Sequence, residues 1–222
     1  SWASNVNGFE EGYSFYADSS GASVAAQMGN LWVEEVNAAI DTLRSDLLEF
    51  STSGKTIDTL SGDLAEFWHA DTYNIDAILN GSENRAHVPR STRFASADVE
   101  LDTGESFQVK YCQDGAHSAK AHAVSYNEAS RIPSPSKGAT EAIRAGANPN
   151  DSVYKGMGRV IPEGQKEDAV RELKRRIAKE SVTRKEQVSR LEETREALTD
   201  TVGNGDGVKS KSLSREASKE LA

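Results

Sequence analysis

The chain has 222 residues, 36% of them hydrophobic and 27% charged, with 35 acids against 26 bases for a formal charge of -9. So low an apolar share, with a mean hydropathy of -0.61, suits one core of roughly 100 to 150 residues plus solvated helices and excludes one large globule. No run approaches the ~18 to 20 apolar residues of a membrane span, and the first residues lack a basic stretch followed by an apolar one, so no membrane partner is expected of this segment. One cysteine, Cys112, makes neither an internal bridge nor a zinc cluster, so the fold must rest on packing, and a reducing, cytoplasmic setting is expected.

Charge is uneven along the chain. Residues 1–70 hold eleven acids and two bases, and the remainder balances at twenty-four of each. Residues 1–19, rich in Gly, Ser, Asn and Tyr, read as an irregular arm. From about Ala22 to Phe50 the apolar residues Val24, Met28, Leu31, Trp32, Val36, Ile40, Leu43 and Leu47 recur at three and four, which predicts a long amphipathic helix. A second helix is predicted from about Thr59 to Leu79, stopped by Asn80-Gly81.

Then the period changes to two. Ala97, Val99 and Leu101 alternate with Asp98, Glu100 and Asp102, and Phe107, Val109 and Tyr111 alternate with Gln108 and Lys110. With the turn residues Asp102-Thr103-Gly104-Glu105 between them, these runs predict a hairpin with one apolar and one polar face. A short extended piece near His87-Val88 is expected in the same sheet. A helix over 115–130, the loop IPSPSKG, a short helix near Ala139 to Ala145 and the strand GRVIP at 158–162 follow. Helices at about 165–180 and 183–201, a GNGDG linker at 203–207 and a terminal helical fragment from about Ser212 complete the expectation. The organisation is thus an acidic arm and helix over 1–58, an α/β core over 59–162, a helical, locally basic extension over 163–202, and a linker with a terminal fragment over 203–222.

The candidate chemistry sits on the hairpin. Side chains alternate across a strand, so Asp98 and Glu100 share one face of the first strand, and Gln108 and Lys110 share one face of the second. A carboxylate at Asp98 can hold a divalent metal, Gln108 offers a neutral oxygen to the same ion, and Lys110 can position water or balance charge on a phosphate. Glu66, from the preceding helix, could complete the metal shell. A plain solvated hairpin face remains an alternative on the same residues.

An acid on a helix (Glu66), a strand with Asp98, ten residues, and then Gln108-Val109-Lys110, followed by a helix and a further strand, resembles the PD-(D/E)XK nuclease superfamily in a QxK variant, over roughly residues 60–162. The resemblance implies an α/β (α+β), restriction-endonuclease-like αβββαβ core with added terminal helices, and metal-dependent hydrolysis of nucleic acid phosphodiesters, DNA foremost, with Mg²⁺ or Mn²⁺. It makes Asp98, Gln108 and Glu66 the metal-binding set and Lys110 the catalytic lysine. The sequence departs from the pattern at Ser96-Ala97, where proline is usual, and at Gln108, where an acid is commoner. The alternative is a non-catalytic helical interaction or assembly protein on a degenerate nuclease-like scaffold. A homo-oligomer, or further domains of a longer chain, is compatible with either.

Other residues carry less. His69 and Tyr73 lie one turn apart near Glu66 and could border a site, though local hydrogen bonding accounts for such residues. His117 and His122 are five apart, a poor spacing for a shared metal. Residues 171–190 carry eight bases and three acids, which suits a phosphate backbone but equally a helix laced by acid-base pairs. Trp32 and Trp68 fall at helical core positions, and no Walker loop or GxGxxG opens a helix.

Overall fold

The apolar stripe of the first predicted helix becomes α1 (Asn30–Phe50), on which Val36, Leu43 and Leu47 are buried. The computed structural model describes residues 30–50, 54–133 and 137–222, the side chains of 30–32 and 50 excepted. The arm expected over 1–19 and the expected helix start over 22–29 lie outside the described residues. Helix α2 (Ile57–Leu79) starts where the Thr56 hydroxyl accepts the Thr59 N–H, an N-cap that satisfies one orphan donor. It stops as expected at Asn80-Gly81: Gly81 takes φ 67°, and Ser82 N–H turns back onto the Ala77 carbonyl at 2.8 Å. A glycine adopts this left-handed C-cap without a Cβ penalty.

The remaining elements are β1 (Ala86–His87), β2 (Val99–Leu101), β3 (Ser106–Val109), α3 (Gly115–His122), α4 (Tyr126–Ser130), α5 (Gly138–Arg144), β4 (Gly158–Val160), α6 (Lys166–Thr183), a 3₁₀ turn over Lys185–Gln187, α7 (Val188–Ala197), β5 (Leu198–Thr199) and α8 (Arg215–Leu221). The protein is therefore a mixed α/β fold with both antiparallel and parallel strand pairing, as the sequence led us to expect.

Two compact units divide these elements. The first comprises the described residues up to Val88 with Val99–Gly104 and Thr201–Ala222. In it α1 packs along α2, and β1 pairs antiparallel with β2 in the register Ala86↔Leu101 and His87↔Glu100. Its interior is built from Val36, Leu43, Leu64, Trp68, Ile75, Val99, Leu101, Val202, Val208 and Leu213. Trp68 donates its indole N–H to the Lys211 carbonyl at 2.9 Å. The 203–207 segment is a set of tight turns closed by a Gly203↔Lys209 bridge, with Lys209 N–H held by the Asp76 carboxylate at 2.9 Å.

The second unit comprises Pro89–Asp98 and Glu105–Asp200. Its strands β3, β4 and β5 run parallel, in the registers Gln108↔Arg159 and Val160↔Thr199. Parallel neighbours need long crossovers, supplied here by α3–α5 between β3 and β4, and by α6 and α7 between β4 and β5. Ala119, Ala123, Ile161, Ala169, Leu173, Leu191 and Leu198 form the core beneath these helices. Two glycines permit the close packing. A Cβ at Gly115 would collide with the Gln165 carbonyl, and one at Gly158 would enter the Phe107 ring.

Three expectations are corrected. The single helix over 115–130 is two, because Ser125 bridges to Ser152 and Val153 N–H bonds the Val124 carbonyl, which ends α3 at its Ala123 cap. The second C-terminal helix ends early in β5, a strand too short to leave a period. On β3 the alternative of a plain solvated face fails: Gln108, from the polar face, is 5% exposed, as buried as Phe107 and Val109 of the apolar face at 5% and 6%. A parallel strand covered on both sides hides both of its faces.

Candidate functional site

Asp98 enters the second unit's sheet through its backbone and its side chain together. Its N–H donates to the Phe107 carbonyl, and its Oδ2 accepts the Val109 N–H, both at 2.9 Å. The carboxylate therefore lies against the strand segment that carries Gln108 and Lys110 on either side of Val109. Three of the four residues singled out by sequence are brought together here. Glu66 stands half-buried on α2 and belongs to the first unit.

The surroundings of Gln108 and Lys110 are made by residues the sequence did not nominate. The register sets Gln108 beside Arg159, which is fully buried and grips Glu193 with two guanidinium nitrogens at 3.0 and 2.6 Å. The Gln108 side-chain oxygen is buried with no hydrogen-bond partner, an expense of order 1–3 kcal/mol unless something supplies a donor or a cation. The Lys110 ammonium lies 5.1 Å from the centre of the Tyr154 ring, a cation-π contact, and among the described residues it makes no ion pair.

His122 closes this neighbourhood. Its Nε2 and the Lys110 backbone N–H both bond the Val160 carbonyl, at 2.8 and 3.0 Å. A carbonyl only accepts, so Nε2 carries the proton and Nδ1 keeps a buried lone pair with no partner. Burial pushes the imidazole down to about 3, and the nearby Lys110 and Arg159 charges add to that effect. The ring stays neutral and meets Tyr154 edge-on at 6.4 Å. A lone histidine in a sequence gives no sign of this role. The lysine's aromatic neighbour likewise sits in a loop that no motif marks.

Other candidates resolve into structural parts. His69 is fully buried, held down to about 3 by burial, and its Nδ1 shares a hydrogen bond of 2.7 Å with the Ser210 hydroxyl, whose oxygen accepts the Val202 N–H. Exposed His117 pairs with its own N-cap, Asp114, at 2.7 Å, whereas His122 is buried, so the two do not share a site. Glu100 pairs with His87 at 3.1 Å in the first unit. On α6, Arg171 bonds Asp168 and Glu167, and Arg175 bonds Glu172, which are the acid-base pairs expected of a laced helix. Among the described residues no group of three or more His, Cys, Asp or Glu stands close enough to enclose a metal ion.

No protein-family model, curated protein or solved structure matches the chain. One carboxylate and one buried amide oxygen without a partner are oxygen ligands of the kind a Mg²⁺-type ion takes. Such an ion keeps several waters and takes only one or two protein oxygens.

Proposed function

We propose that the protein is a metal-dependent phosphodiesterase of the nuclease type, acting on nucleic acid and foremost on DNA. One observation carries the reading: a half-buried lysine that makes no ion pair among the described residues stands one residue from the strand N–H that Asp98 accepts, beside an orphaned Gln108 oxygen. Asp98 and Gln108 would hold Mg²⁺ or Mn²⁺. When bound, that ion supplies Lewis-acid charge beside the scissile phosphate.

The chain's own groups do the rest. Lys110 binds a non-bridging phosphate oxygen and balances the charge that builds there, and it does so with more effect in a half-buried place than in open water. The Tyr154 face fixes the ammonium without neutralising it. His122, kept neutral, adds no competing cation. The second unit is also the cationic part of the chain, with nineteen bases against sixteen acids, while the remainder holds seven against nineteen. An anionic polymer is favoured there over elsewhere on the molecule.

The test is cleavage of a fluorescent oligonucleotide across a Mg²⁺ and Mn²⁺ series by the parent and by Asp98→Asn, which keeps an oxygen for the Val109 N–H and removes the charge. Loss of cleavage in Asp98→Asn supports the reading. A parent that cuts nothing, or an Asp98→Asn variant as active as the parent, favours the second reading, a non-catalytic interaction or assembly scaffold. That rival draws on one observation of its own: the Asp98 carboxylate already serves the sheet by accepting a strand N–H.

A further inference from the structure

The segment that leads into Asp98, residues 89–97, holds two bases, Arg90 and Arg93, one aromatic, Phe94, and no acid. Its backbone is strained at two points. Arg90 and Ala95 take φ 49° and 54°, positive values that residues with a Cβ adopt where their surroundings hold them. The loop also bonds to itself: the Ser96 hydroxyl donates to the Ser91 carbonyl at 3.1 Å, and the Ser96 N–H to the Arg93 carbonyl at 3.2 Å. A fixed turn therefore presents Phe94.

The contacts that seat this ring do not cover it. Phe94 lies so close against the Gly138 backbone that a methyl there would collide with it, and Tyr126, which opens α4, meets the ring at 6.4 Å and 52°. Phe94 is nevertheless 39% exposed. A ring anchored in this way and left open to solvent offers an aromatic face. Exposed cations adjoin its seats in the chain, Arg93 before Phe94 and Lys137 before Gly138, and among the described residues neither makes an ion pair. Glu128, the acid on α4, is already paired with Arg190 at 3.1 Å.

We propose, resting on the nucleic-acid reading above, that Phe94 and Tyr126 form a stacking platform for an unpaired base, so that the substrate is single-stranded DNA whose phosphates meet Arg93 and Lys137. An aromatic ring stacks on the flat face of any base, and neighbouring cations neutralise the backbone. In a duplex each base is covered above and below by its neighbours, which leaves the platform nothing to take. Phe94 stands four residues before Asp98, at most about 14 Å of extended chain. A few nucleotides, at roughly 3.4 Å or more each, span that separation.

Fluorescence anisotropy on the full chain tests this, with a fluorescein-labelled DNA strand of about 12 nucleotides in EDTA, so that binding is read without cleavage. The parent should bind the strand at least about 10-fold tighter than the same sequence as a duplex, and tighter than an abasic strand that keeps the phosphates and lacks the bases. Phe94→Leu should weaken strand binding by on the order of 10-fold, the scale of one lost base stack, while Phe94→Tyr should bind as the parent does. Arg93→Gln should weaken binding and lower its salt dependence by about one phosphate contact. Duplex or abasic strand bound as tightly as the intact strand, Phe94→Leu as tight as the parent, or a parent that binds no strand would each overturn the proposal. A parent that binds in the expected way and cuts nothing with Mg²⁺ keeps the platform and loses the phosphodiesterase; one that cuts strand and duplex alike, with Phe94→Leu unimpaired, does the reverse.

Discussion

The Lys110 ammonium faces the Tyr154 ring. Lys110→Met keeps the aliphatic contact with Tyr154 and deletes the charge. The variant should fold as the parent does and cleave slower by a factor on the order of 10² or more, the scale of one lost charge partner in the transition state. Paired melts and single-turnover rates check both halves. For Asp98 the choice of substitution matters more than its position suggests. Because Oδ2 accepts the Val109 N–H, Asp98→Ala leaves a strand donor unpaired and should lower stability by about 1 kcal/mol or more, whereas Asp98→Asn should lose much less. Urea titration of both separates the carboxylate's structural part from its chemical one.

Among the elements, the strand pair β3–β4 shows what periodicity conveys and what it hides. The turn ahead of β3 was legible: Gly104 N–H closes onto the Leu101 carbonyl at 3.0 Å, where Asp-Thr-Gly stands in the sequence. The adjacency of Asp98 to Gln108 and Lys110 followed from alternation across two short runs. The burial of Gln108 did not follow, because it depends on β4 and on helices far along the chain. His122, Tyr154 and Arg159 come to the lysine only through the α3–α5 crossover, and their spacing in sequence carries no period. β5 was missed for another reason: two residues at the end of a helix leave no pattern to read. Gly158 tests the strand packing directly. Gly158→Ala drives a methyl into the Phe107 ring and should cost roughly 1–3 kcal/mol, the usual scale of overpacking. A second change, Phe107→Leu, should recover part of the loss, and the double-mutant cycle measures the coupling.

Taken whole, the molecule should respond to pH differently in its two units. His122 is held neutral with a pKa of about 3 against an ordinary 6.5, so below 6.5 the unfolded chain takes a proton that the folded second unit refuses. That unit should lose stability on the acid side, by at most about 1.4 kcal/mol per pH unit. The first unit holds two opposed groups. His69 acts as His122 does, while Asp71, raised to about 9 from 3.8, keeps a proton that the unfolded chain has shed. From 3.8 to 6.5 the two nearly cancel. Above 6.5 only Asp71 remains, and the first unit should weaken as pH climbs toward 9. Hydrogen exchange near about pH 5 should therefore report weaker protection in the second unit, and near about pH 8 in the first. Parallel behaviour of the two would contradict these assignments.

The chain passes between the units four times, and the first unit receives its last pieces only after Asp200. Those pieces are integral to it: Val202, Val208 and Leu213 are buried, Ser210 holds His69, and Lys211 accepts the Trp68 indole. A ribosome delivers residues in order. Helices α1 and α2 therefore emerge first and must wait for the C-terminal segment, with Trp68 and His69 still lacking their partners, while the whole of the second unit is synthesised and free to fold. Within this chain the first unit is thus begun before the second and completed after it. Until then the side chains of α2 that the C-terminal segment covers, Trp68 and His69 among them, stay open to solvent.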